Sequence, residues 1–113
     1  MKTVILASAK ADLTQLRSYI LKNFSKDTWQ TTYEKLKELI RNLATFPHLG
    51  AIPPELDDIH SHQYRQLICG MNRIIYEVRQ DVVYIHLIVD TRRDLSALLL
   101  RRLVRPGVNP GAR

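Results

Sequence analysis

Three strand-length runs, Tyr64–Cys69, Arg73–Arg79 and Val82–Val89, follow one another with only Gly70-Met71-Asn72 and Gln80-Asp81 between them. Breaks of two or three residues are hairpin connections, whereas a parallel crossover needs a dozen residues or more. The second half of the chain is therefore restricted to an antiparallel meander. In the last run, Val83, Ile85, Leu87 and Val89 alternate with Val82, Tyr84, His86 and Ile88. Both sets are largely apolar, so this strand is expected at the centre of the sheet, covered on both faces. On that alternation His86 is expected to pack against the helices.

The first half has a different period. Thr3–Ala7 is a short β-branched and apolar run, read as a first strand. Ser8 then offers a hydroxyl to cap a helix, with Asp12 near its positive end. Leu13, Leu16, Ile20 and Phe24 recur at three- and four-residue steps, one face of that helix. Ser25-Lys26-Asp27-Thr28 is a break with capping chemistry. Trp29, Tyr33, Leu36, Ile40 and Leu43 then form the stripe of a second helix, which Pro47 ends. So short a connection predicts an antiparallel helical hairpin. Trp29 and Tyr33 are read as core or groove lining. Residues 46–62, with Pro47, Gly50, Pro53 and Pro54, read as a loop. Leu95, Leu98, Leu99 and Leu103 predict a short amphipathic helix over 94–103, and Pro106, Gly107, Pro110 and Gly111 a disordered tail. The expected architecture is α+β. An N-terminal strand, a two-helix hairpin, a three-stranded antiparallel meander and a short C-terminal helix share one small twisted sheet. Residues 1–105 form the single domain and 106–113 the tail.

Charge narrows the functional classes. Residues 1–91 carry 11 basic and 10 acidic side chains, whereas residues 92–113 carry six arginines against Asp94. Nearly all of the +6 net charge therefore sits at one end. Arginine forks suit phosphate and carboxylate, so an anionic partner is the functional reading and a solvated helix end the structural one. Met1 to Ala9 imitates a signal peptide, but its apolar part is short and Lys10 and Asp12 follow at once. With the single Cys69, this reads as a cytoplasmic protein; no apolar run approaches membrane-spanning length.

Several segments together resemble the RelE/ParE family of bacterial toxins: Tyr64-Arg65-Gln66-Leu67, Gly70-Met71-Asn72-Arg73-Ile74-Ile75-Tyr76, Val83-Tyr84-Ile85 and Asp90-Thr91-Arg92-Arg93-Asp94-Leu95. Ala11-Asp12-Leu13 and the Pro47-x-x-Gly50 loop fit the same pattern. The resemblance spans about residues 3–103. It implies the toxin of a type II toxin–antitoxin pair, held in a hetero-oligomer by a cognate antitoxin whose disordered segment folds over it. RelE-like members cut messenger RNA on the ribosome, and ParE-like members poison DNA gyrase.

RNA cleavage needs a base, an acid and cations at the phosphate. By the resemblance, Arg73 and Arg92 or Arg93 match phosphate-binding positions. The lysine pair and the C-terminal tyrosine of RelE-like enzymes are missing. His60 and His62 remain as proton carriers for a ribonuclease, with Asp57 and Asp58 nearby; two histidines do not complete a metal site. No metal or cofactor is expected. Arg73 could instead pair with Glu77 or Asp90. The favoured reading is a gyrase inhibitor without chemistry of its own, with Arg65, Arg73, Arg92, Arg93, Arg101, Arg102 and Arg105 as the target-binding set. A ribosome-dependent endoribonuclease and a non-toxic nucleic-acid-binding module are the alternatives. The antitoxin is expected to be acidic or amphipathic and to cover the groove between hairpin and sheet.

Overall fold

The computed structural model describes residues 1–57, 64–92 and 97–98. The elements are β1 (Lys2–Ile5), α1 (Ala7–Asn23), α2 (Lys26–Asn42), the single turn α3 (Pro54–Asp57), β2 (Tyr64–Cys69), β3 (Asn72–Arg79) and β4 (Val82–Asp90). The four strands form one sheet in the order β1-β4-β3-β2. β2–β3 and β3–β4 are antiparallel, and β1 runs parallel to β4. This is the expected α+β arrangement, with β4 inside the sheet. α3 falls in a stretch the sequence reads as loop. Of the expected C-terminal helix, Ala97 and Leu98 are described and helical; the rest, and the 106–113 tail, lie outside the described residues.

The meander follows from its turns. Gly70 takes a positive φ of 60°, which its missing side chain permits, and Gln80 takes φ 55°. The helical hairpin follows from its cap. The Ser25 hydroxyl accepts the Thr28 backbone N–H at 3.0 Å, and Asp27 occupies the first turn of α2. Leu36, Ile40 and Leu43 then meet Ala9 of α1 and Ile74, Tyr76, Val83, Ile85 and Ile88 of the sheet. Each such fully buried side chain contributes about 1.5–3 kcal/mol.

A smaller apolar cluster lies on the other face: Tyr64, Ile75, Leu87, Val89 and Leu98. It corrects the simple alternation. Ile75 pairs with Leu87 but Tyr76 with Ile85, so His86 is the extra residue of a β-bulge. The bulge reverses which residues face the helices. Val83 and Ile85 are followed on the helix side by Ile88, and Leu87 and Val89 move to the far side. His86 needs no bulge to lie there: with Val83 and Ile85 facing the helices, alternation already puts it on the far side, where it meets Glu77 and Tyr64 rather than the helices.

β1 pairs with β4 only over Val82–Ile85. The Leu6 N–H to the Ile85 carbonyl, at 3.1 Å, is the last rung. Beyond it, α1 serves β4's edge with side chains. Ser8, already inside the helix, donates to the His86 carbonyl at 3.0 Å instead of capping. Buried Asp12 accepts the Ile88 N–H at 3.0 Å. Asp12→Ala is expected to lower stability by about 1–3 kcal/mol, because it strands a buried N–H. Urea unfolding should show a lower midpoint with unchanged slope, and Asp12→Asn, which keeps an acceptor, a smaller loss.

Candidate functional site

The segment after α2 is clipped to the sheet at Gly50. The Gly50 N–H donates to the Tyr76 hydroxyl at 2.9 Å, and Ala51 and Gln66 exchange two backbone hydrogen bonds. Arg65 donates from Nη1 to the Gly50 carbonyl at 2.7 Å. Arg65, expected at a target surface, is thus engaged in holding the Pro47-to-Gly50 loop.

Arg73 and Arg92 are each held end to end by a carboxylate. Arg73 meets both oxygens of Glu55 at 3.1 Å, and its Nε donates to Gln66 at 2.9 Å. Glu55, rather than Glu77 or Asp90, is its acidic partner. Burial pushes the Glu55 carboxyl up, but the hydrogen bonds from Arg73, a backbone hydrogen bond and the Arg73 charge together outweigh it and hold it below the ordinary value. Arg92 donates from Nε and Nη2 to the two oxygens of Asp90, at 2.9 and 2.8 Å. The outer fork of Arg73 is closed by Glu55, whereas Arg92 meets Asp90 through its Nε edge and is 70% exposed. His60, His62, Asp58, Arg93, Arg101, Arg102 and Arg105 lie outside the described residues.

On the same sheet face as Arg73, beyond Ile75, is a closed polar pair. His86 Nε2 lies 2.9 Å from Glu77 Oε1, with both side chains about 95% buried. The Tyr64 ring meets the imidazole edge-on at 5.4 Å. Burial, then the Glu77 charge, pushes the Tyr64 phenol up to about 12. Its folded-state value lies above the unfolded one, so its contribution is complete below pH 10 and lost as pH rises through 12. A phenolate absorbance titration should find Tyr64 ionising last, together with alkaline unfolding. Burial also raises the Cys69 thiol, which makes it a poor nucleophile at neutral pH. Among the described residues, no group of three or more His, Cys, Asp or Glu is placed to hold a metal.

A groove of about 490 Å³ lies elsewhere, along the half of β4 that β1 leaves uncovered, between α1 and the β2–β3 turn. Leu16, Ile20, Ile88 and Leu98 line it, with Tyr19, Phe24 and Met71 at 51%, 63% and 55% exposure. Tyr19 and Phe24 meet edge to face at 6.2 Å. The sequence stripe placed Phe24 on the packed face of α1; it instead stands in solvent at the groove. Lys10, Arg17 and Lys22 are exposed on α1, whose one acid, Asp12, is buried. The groove is therefore largely apolar, with the Asp90–Arg92 pair in its lining, and the exposed bases of α1 are not among the residues that line it. On α2, Trp29 is half-buried and stacks at 5.3 Å on the more exposed Tyr33, which Lys37 covers at 5.1 Å. No helix among the described residues is long and apolar enough to cross a membrane.

A small mixed sheet backed by a helical hairpin, without an open catalytic cluster among the described residues, is a fold found in toxin–antitoxin systems. A solved chain of the chromosomal ParDE TA system from P. aeruginosa superimposes with a TM-score of 0.66 at 16% identity, covering 80% of this chain and 95% of that one. The comparison with curated proteins returned no match. The family model described as the ParE toxin of the type II toxin–antitoxin system, parDE, matches residues 4–95. The chain belongs to this ParE toxin family.

Proposed function

We propose that the protein arrests bacterial growth by inhibiting DNA gyrase, and that a cognate antitoxin silences it in the cytoplasm within a hetero-oligomer. The observation that carries the non-enzymatic reading is the pairing of Arg73 with Glu55 and of Arg92 with Asp90. A ribonuclease needs such arginines free to meet developing charge on phosphate. Here Arg73, which the ribonuclease reading requires, is neutralised by Glu55, and Arg92, one of its two candidates for the second cation, is paired with Asp90. The α1–β4 groove suits the antitoxin. Its apolar lining takes the hydrophobic face of a segment that folds on binding. The arginines at 93, 101, 102 and 105 are the proposed gyrase contact, together with whatever Arg65, Arg73 and Arg92 leave exposed.

Pulse labelling after induction of this chain alone tests the target. DNA synthesis is expected to stop before protein synthesis, and the purified protein to block supercoiling by gyrase. Protein synthesis stopping first, with cut messenger RNA, overturns the gyrase reading in favour of the ribonuclease. If neither stops, the growth-arrest function itself is refuted for this chain.

A further inference from the structure

The sheet ends in β2 on one side and β1 on the other. The two edges are finished differently. On β2, the outward N–H and carbonyl of Gln66 are taken by Ala51, so the segment after α2 meets that edge. Where β1 stops short on β4, Ser8 and Asp12 serve the exposed edge. Among the described residues, no strand or bridge meets the outer side of β1.

The groups left open there follow from the ladder on the inner side. The Lys2 N–H donates to the Asp81 carbonyl at 3.3 Å, and the Leu6 N–H to the Ile85 carbonyl at 3.1 Å. A strand residue turns its N–H and its C=O to the same neighbour, and successive residues alternate between neighbours. Lys2, Val4 and Leu6 therefore face β4, and Thr3 and Ile5 turn both groups outward. α1 runs on from Ala7 beside β4, reaching His86 and Ile88, and leaves that edge behind. β1 has neither a bulge nor a proline to spoil pairing. Thr3, Val4 and Ile5 are β-branched, the type that strands favour, and each is half-buried.

This edge matches a second copy of itself. A two-fold axis at Thr3, perpendicular to the sheet, sets two β1 strands antiparallel. Thr3 then stands opposite Thr3, Lys2 opposite Val4 and Met1 opposite Ile5. The two threonines exchange both of their outward hydrogen bonds, and Ile5 turns its own toward Met1. Thr3 and Ile5 lie on the helix side, where Ile5 packs on the core, and Lys2 and Val4 on the other. Lys2 is the one charge of β1 and meets Val4, so no like charges stand opposite each other. A symmetric contact of this kind satisfies the open groups of both edges at once.

We propose that β1 is a self-pairing edge, through which two copies of this chain join their sheets about a two-fold axis at Thr3. Each side contributes a four-residue strand. Standard interfaces bring about 20–30 residues a side, so this contact is weak and forms at concentrations on the order of 0.1 mM. It depends neither on the toxin's target nor on what fills the groove beside α1.

The test compares the full chain at about 10 µM and about 1 mM, on either side of that range. Water-exchange NMR reads each β1 amide, and sedimentation reads the mass. On concentrating, the Thr3 and Ile5 amides are expected to exchange about tenfold more slowly as the mass doubles, while Lys2 and Val4, already bonded to β4, stay unchanged. Thr3→Pro removes an outward N–H without touching the bonds to β4, a change that edge strands tolerate, and is expected to remain monomeric. Thr3→Lys sets two ammonium groups opposite each other, and gives the same reading if Thr3→Pro loses its fold. Exchange at Thr3 and Ile5 that does not respond to concentration overturns the proposal. So does a dimer that Thr3→Lys leaves intact, which must join through another surface. Protection of Thr3 and Ile5 that appears only in the complex with co-expressed antitoxin assigns the edge to that partner and equally overturns self-pairing.

Discussion

Glu77→Ala is expected to cost about 1.5–3 kcal/mol, the penalty for losing a buried hydrogen bond to a charged group. Glu77 is 2% exposed and lies 2.9 Å from His86 Nε2, with Arg79 Nε 3.9 Å from its second oxygen. Deletion leaves the imidazole buried at a bulge, with the Tyr64 ring beside it and no carboxylate to bond. Total stabilities of domains this size are about 5–15 kcal/mol, so the loss is a large share of the whole. Urea unfolding of wild type, Glu77→Ala and Glu77→Gln measures it, and the amide should recover part because it can still accept from Nε2. Replacing the pair together, by Glu77→Leu with His86→Leu, should recover more than either single change, since no polar group is then stranded. A Glu77→Ala protein within about 1 kcal/mol of wild type would show that His86 finds water or another partner, and that the pair is not a stability element.

Gly50→Ala should be more damaging, for a different reason. A Cβ at Gly50 would lie 2.3 Å from the Gln66 carbonyl oxygen and 2.9 Å from both the Gln66 carbonyl carbon and the Tyr76 hydroxyl. Two of those three atoms are backbone of a paired strand and cannot turn aside. The loop must lift, and four hydrogen bonds lose their geometry: Gly50 to Tyr76, Arg65 to Gly50, and the two between Ala51 and Gln66. At ~1 kcal/mol each the cost is about 3–5 kcal/mol. Tyr76→Phe, which removes only the first of them, should cost about 1 kcal/mol. Hydrogen exchange at the Gln66 amide is the local readout. If Gly50→Ala leaves its protection unchanged, the clash is being relieved somewhere other than the loop.

Much of the architecture was legible because it rests on local patterns. The meander could be read from hairpin-length breaks, and α2 from Ser25 and the Leu36, Ile40, Leu43 stripe. β4 was misread past Ile85 because alternation carries no mark of an inserted residue. His86 is expected on the helix side because both faces of the run are largely apolar, and alternation does not say which of them the helices cover. Ser8 and Asp12 have the chemistry of a helix start and were assigned to it. Their true acceptor and donor are 78 and 76 residues away, on a strand edge that β1 is too short to cover. The arginines show the same limit most plainly. Composition announced cations for an anion, and the matching anions of Arg73 and Arg92 turned out to be Glu55 and Asp90 of the chain itself. Charge counts cannot tell a cation waiting for a ligand from one already paired across a fold. The groove was foreseen as a place between hairpin and sheet, but its outline depends on where β1 stops, which no residue of β4 records.

The pairing of the first strand with the last sets an order of events during synthesis. β1 is synthesised before the other described elements, yet the stretch of β4 beside it is completed only at Ile85. At about 5–20 residues per second, the N-terminus waits roughly 4–16 seconds for that partner. The α1 side chains that serve β4's edge wait with it. A chain cut short before Val82 has no strand on which β1 and α1 can settle. Every surface that depends on β4 therefore comes into being late and together, so the nascent toxin stays unassembled through most of its own translation.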